Sequence, residues 1–181
     1  MSYGVVVPNK IAATDVDAYN RTAVCATAVE NGFLVELLTK STTTGEGEVW
    51  VATQSAGTLT NIWMVLGPEV VSVVSGSNKF KGIDNDPRNF RYEIGDMIDV
   101  FRPVVGDVIT LSSDALATGA GAASAYAVIT SGAWKATWSG SPASGLTLKY
   151  LETTYISLPQ AGAISETQRP TAYKFVVSAI A

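Results

Sequence analysis

Apolar and polar residues alternate along much of this chain with a period of two, which is the period of a β-strand. In "EVWVATQSA" Val49 and Val51 fall on one side and Trp50 on the other, and in "LTLKYLETTYISL" Leu146, Leu148 and Tyr150 share a side. "LTNIWMVLGPEVVSVV" is apolar throughout and ends its first half at Gly67-Pro68, so it predicts a buried strand, a turn and a second strand. "DMIDVFRPVVGDVITLSS" predicts two strands parted by Pro103 and Gly106, and "AYKFVVSAIA" a last strand whose apolar end joins a sheet or a neighbouring subunit. "TAVCATAVENGFLVELLT" reads as two short strands about Glu30-Asn31-Gly32, because Asn-Gly is a strong hairpin signal. "SGSNKFKGIDNDPRNF" reads as a polar loop and "LATGAGAASA" as a flexible one.

Short strands at this spacing, with turn residues between them, predict an all-β fold, a single β-sandwich or barrel-like domain. Residues 1–20 read as an extended N-terminal arm: the β-branched valines of "VVVP" and the proline after them favour extended backbone. Residues 21–116 form the expected β core. Residues 117–181 are a β-rich C-terminal part, either of the same domain or a small outward-facing elaboration.

Composition narrows the chemistry. Of 181 residues 47% are hydrophobic and only 15% charged, which is below the roughly 25% of ordinary soluble domains. That scarcity of charge predicts that part of the surface is covered by a partner. Formal net charge is -4 and there is no basic block, which argues against nucleic acid. No run of about 18 apolar residues predicts a membrane span, and the N-terminus lacks the charged start and apolar core of a signal peptide. Synthesis and folding in a cytoplasm are expected.

Histidine is absent, so the commonest general base and transition-metal ligand are missing. A Ser-His-Asp or Cys-His arrangement cannot be built within one chain. The single cysteine, Cys25, lies in an apolar run and reads as a buried, inert thiol. No Gly-rich stretch carries a phosphate-binding signature.

Six of the sixteen acids lie between Lys81 and Leu111: Asp84, Asp86, Glu93, Asp96, Asp99 and Asp107. Asp84 and Asp86 begin like a calcium loop, but Pro87 and Arg88 stand where another oxygen ligand belongs, so a turn is the better reading. Asp96 and Asp107 each follow a glycine and precede alternating apolar residues, which reads as a capped turn before a strand. A glycosidase pair would need aromatics beside these acids; Phe90, Tyr92 and Phe101 stand there, and core packing explains them equally well. No catalytic residue, cofactor site or metal site is expected, and the chain reads as a non-enzyme. Trp134 and Trp138 fall on one face of a regular strand and predict a broad aromatic surface for a packed sheet or a neighbouring subunit.

From about Val29 to Leu116 the chain carries a pattern of named residues: Trp63, Val65, Pro68 and Glu69; Asn89 and Phe90; Gly95; Phe101-Arg102-Pro103; and Gly106-Asp107-Val108-Ile109-Thr110-Leu111. In these it resembles the head decoration, or capsid cement, proteins of tailed bacteriophages. The resemblance implies a non-enzymatic virion protein on the capsid exterior, made in a bacterial host, with the major capsid protein as partner and a homo-oligomer, such as a trimer, as its state. It carries over no functional residue. The expected capsid or subunit contacts are Tyr3, Val5, Val6, Val7, Pro8 and Ile11 of the arm, which could add as a strand to a sheet edge, together with Trp134 and Trp138. The competing readings are a tail-tube or head-fibre component and, behind it, a carbohydrate-binding module.

Overall fold

A computed structural model describes residues 3–43, 47–55, 59–67, 72–75, 78–81, 87–117, 124–159 and 167–180. The strands run in the order β1 (Val6–Lys10), β2 (Asn20–Cys25), β3 (Leu34–Lys40), β4 (Trp50–Gln54), β5 (Ile62–Leu66), β6 (Ser72–Ser75), β7 (Asn78–Lys81), β8 (Met97–Phe101), β9 (Val108–Ser112), β10 (Leu116–Ala117), β11 (Tyr126–Val128), β12 (Ala136–Ser139), β13 (Thr147–Tyr155), β14 (Leu158–Pro159), β15 (Thr167–Gln168) and β16 (Thr171–Ala179). Helical structure among the described residues is confined to single 3-10 turns. The fold is all-β, as the alternation predicts.

Two bodies of strand pack against each other. The first is a closed five-stranded barrel in the order β2-β4-β3-β5-β8, with β8 pairing back onto β2. All its pairs are antiparallel except β2–β4, which is parallel. The second is a seven-stranded sheet in the order β1-β9-β16-β13-β11-β12-β10. β6 and β7, and β14 and β15, form two further two-stranded units.

Burial on both faces explains the continuous apolar runs. Alternate residues of β3, β5 and β8 (Val35, Leu37, Trp63, Val65, Ile98, Val100) fill the barrel with Ala23, Cys25 and Ala52. Their neighbours Leu34, Ile62, Met64 and Phe101 point the other way, onto Ile109, Leu111, Leu148, Trp138, Phe175 and Val177 of the sheet. A strand packed on both sides has no polar face to show, so "IWMVL" is apolar without a break. The sheet strand "TLKYLETTY" covers the core with one face only and keeps its alternation.

Several expectations change. Asn31-Gly32 does turn the chain, with Gly32 at φ +85. It makes no hairpin, because β4 lies between β2 and β3 in the barrel. The polar stretch after Val74 contains β7, which pairs with β6. Residues 117–181 supply β11, β12, β13 and β16 to the sheet that holds β1 and β9, so they belong to the same body as the rest. The "LATGAGAASA" loop lies mostly outside the described residues.

Residues 3–20 are extended at first, as expected, but they are no free arm. β1 pairs with β9, and Ile11 and Ala13 join the core between barrel and sheet. Ser112 N–H donates to Val5 O at 2.8 Å and Val5 N–H donates to Ser112 Oγ at 2.9 Å. Val5 and Val7 therefore turn their main chain toward β9, and Val6 and Pro8 turn theirs to the open edge of the sheet. Pro8 has no N–H to offer there. A bulge between Pro8 and Lys10 disturbs the same edge further.

Candidate functional site

The predicted contact residues are largely spent inside the fold. Val5, Val6 and Ile11 are 4%, 5% and 8% exposed, so their side chains are closed to a partner, contrary to expectation. Tyr3 is half-buried; its N–H donates to Arg88 O at 2.8 Å and the Arg91 guanidinium sits 5.9 Å from its ring centre. Val7 and Pro8 are half-buried on the edge strand. Strand addition at this edge is opposed by Pro8, whose missing donor faces outward.

Trp134 and Trp138 do not share a face. β12 begins only at Ala136, and Trp134 lies in the turn before it, after Gly132 at φ +75. Trp138 enters the core between the layers, 5.1 Å from the Tyr173 ring and 5.4 Å from that of Phe175. Trp134 stacks on Phe33 at 5.6 Å, at one end of the barrel. The broad aromatic surface is thus divided between two cores.

Beside Trp134, Lys135 Nζ sits 2.9 Å from Glu30 Oε2 and donates to Asp114 O at 2.8 Å, while Gly4 N–H donates to the same glutamate at 3.1 Å. This half-buried pair ties the sheet, the barrel end and the N-terminal segment at one point.

The acidic stretch does the work of turns. Asp96 Oδ2 accepts from Glu93 N–H at 2.9 Å, and Asp107 Oδ2 accepts from Val104 N–H at 2.7 Å. Gly95 and Gly106 take φ of +85 and +99 in these turns, a region that other residues enter at a cost. The second oxygen of Asp107 accepts from Ala12 N–H at 2.8 Å and so pins the N-terminal segment to the crossover from barrel to sheet. Asp84 and Asp86 lie outside the described residues. Phe90, Tyr92 and Phe101 are buried packing residues and offer no platform beside the acids. Among the described residues no group of three or more acids and cysteines is placed to hold a metal ion.

Cys25 is buried, as its apolar run predicts. Burial pushes its thiol up to about 12, and the Asp96 carboxylate adds to this. Tyr92, whose hydroxyl donates to Leu66 O at 3.3 Å, is likewise pushed upward, first by burial and then by Asp99.

The group of side chains most able to bind something lies at the opposite end of the barrel from Phe33 and Tyr92. On β2, Arg21 alternates with Ala23 and Cys25 and so faces inward. Its guanidinium carbon sits 4.9 Å from the Trp50 ring centre and 5.4 Å from that of Trp63. Arg21, Leu37, Trp50, Asn61, Trp63 and Arg102 line a cavity of about 120 Å³. Asn61 is satisfied: its Oδ1 accepts from Trp63 Nε1 at 2.8 Å and its Nδ2 donates to Leu37 O at 2.7 Å. Trp50 Nε1 is buried without an acceptor. Sequence reasoning treats the tryptophans as anchors or core and passes over Arg21. The available signal is a lone arginine in register with two inward-facing small residues.

Compared with protein-family models, curated proteins and solved structures, the chain matches none of them.

Proposed function

We propose that the protein is a non-enzymatic virion component that binds the outer surface of an assembled phage capsid and stabilises it. The reading rests on the resemblance to capsid decoration proteins. The observation that carries it is where those residues fall: Trp63, Val65 and Phe90 inside the barrel, Phe101 between the layers, and Gly106, Asp107, Ile109 and Leu111 where the chain passes from barrel to sheet. Residues placed in this way hold a rigid body together.

The contact surface on this reading is the outer barrel wall. There Met97 on β8 lies beside Val24 on β2, and Val24 lies beside Val51 on β4. Met97 is exposed, and the neighbouring turn holds Ile94 at 72% exposure. An apolar row across three strands suits repeated shape-matched contact better than a charged one.

Capsids lacking the protein are mixed with purified chain and pelleted. Saturable binding with raised heat resistance of the shell is expected, and Val24→Asp with Met97→Asp abolishes it while leaving the fold intact. Self-assembled rings or tubes without shell binding would favour a tail or fibre component instead.

A further inference from the structure

We infer that the barrel mouth around Arg21 and Arg102 is a binding site for a single carboxylate group. The argument is one of unmatched donors and is independent of the capsid reading. Neither guanidinium makes an ion pair or a side-chain hydrogen bond among the described residues. Each carries five N–H donors and a permanent charge. Trp50 Nε1 is the only buried side-chain N or O atom among the described residues without a partner, and its residue lines the same cavity. The one side-chain acceptor among the residues lining this cavity, Asn61 Oδ1, is already engaged by Trp63. Within the cavity the donors therefore outnumber the acceptors, the nearby carboxylates of Asp17, Glu48 and Asp99 lying in the groove outside it, and a buried orphan donor calls for a partner.

The form of the acceptor follows from the surroundings. Arg21 lies over two indole rings, which hold the guanidinium while leaving its in-plane N–H groups free to pair with a carboxylate, two bonds at a time. A cavity of about 120 Å³ admits a carboxylate and a short stem. Outside Arg21 the groove is lined by Asp17, Glu48 and Asp99. These acids repel a phosphate or a polyanion lodged in the mouth but allow a monoanion to sit deeper, between the arginines. Lys40 does not compete for it, being paired with Glu48 at 3.0 Å. The carboxylate comes from one of two sources, a free small acid or an acidic side chain of a polypeptide.

The full chain, labelled for nitrogen resonance, is titrated at constant ionic strength with sodium acetate, N-acetylglutamate amide and a blocked pentapeptide of four glycines around one central glutamate, each carrying a single carboxylate. Saturable shifts of the Trp50 indole and of the Arg21 and Arg102 side-chain N–H signals are expected. Arg102→Gln weakens binding roughly tenfold or more. Trp50→Phe, which keeps a ring but removes the donor, weakens it less and serves if Arg102→Gln fails to fold. Tighter binding of the peptide identifies a polypeptide source, and equal binding identifies a free acid. No saturable shift overturns the site, as do equal shifts from sodium chloride, tighter binding of inorganic phosphate, or unchanged affinity in both variants with native spectra.

Discussion

The barrel and the sheet solve the same problem differently. The barrel hides its main chain by closing on itself, so its strands need only about five residues each and its interior takes small residues on one wall, Ala23, Cys25 and Ala52, against large ones on the other. The sheet stays open. It relies on its two nine-residue strands, β13 and β16, near its middle and on the barrel to cover one face. The difference shows where stability must lie. The barrel's β3 and β5 are buried on both sides over much of their length, and Phe101 at the end of β8 packs with them against the sheet's inner face, so the seam between the layers holds both together.

The sharpest way to break this comparison is to remove residues 1–11. That takes away β1 and the buried side chains of Val5, Val6 and Ile11. At about 1.5–3 kcal/mol for each, the loss is about 5 kcal/mol or more, comparable with the whole stability of many domains. The truncated chain is expected not to fold, as read by circular dichroism. A folded truncation would show that the segment is an appendage after all.

Phe101→Ala comes next. Phe101 is fully buried in the seam, and its truncation should cost about 3–5 kcal/mol. Amide exchange should quicken in the barrel and in β13–β16 together. If only the barrel loosens, the two layers are independent bodies. Val65→Ala, inside the barrel, should cost about 2 kcal/mol and loosen the barrel first.

The smallest effect, and the most specific to the barrel, is alkaline. The Cys25 thiol ionises near 9.0 in the unfolded chain and only near about 12 in the folded one. The native state thus keeps a proton that the unfolded state gives up. Its contribution is full below pH 9 and is lost as pH rises toward 12, at about 1.4 kcal/mol per pH unit at most. Tyr92, also pushed upward, adds to the loss. Denaturant midpoints measured from pH 8 to 11 should fall, and Cys25→Ala should flatten the fall. An unchanged slope in that variant would assign the loss elsewhere.

How much was legible follows from the same contrast. Leu146, Leu148 and Tyr150 alternate against one core, and their shared face is plain from spacing alone. The turns at Asp96 and Asp107 are legible because a local hydrogen bond holds each. Strand pairing is another matter. Asn31-Gly32 signals a turn but cannot say that β4, from residues 50–54, will come between the strands on either side of it. Trp134 and Trp138 look like neighbours on one strand, because nothing local marks where β12 starts. The arm reads as a contact for another chain because its partner within this one, β9, lies about a hundred residues away. Arg21 is missed for the same reason: Trp50, Trp63 and Arg102 reach it only through barrel closure.

Pro8 has a consequence for crowding. An unblunted outer strand is a template for a second chain, and a third after it, so the number of copies in solution limits how long they stay separate. With no outward donor at Pro8 and a bulge just beyond it, that growth lacks its first register. The chain can then be stored, or arrayed side by side, at high local concentration without seeding a fibre from this rim.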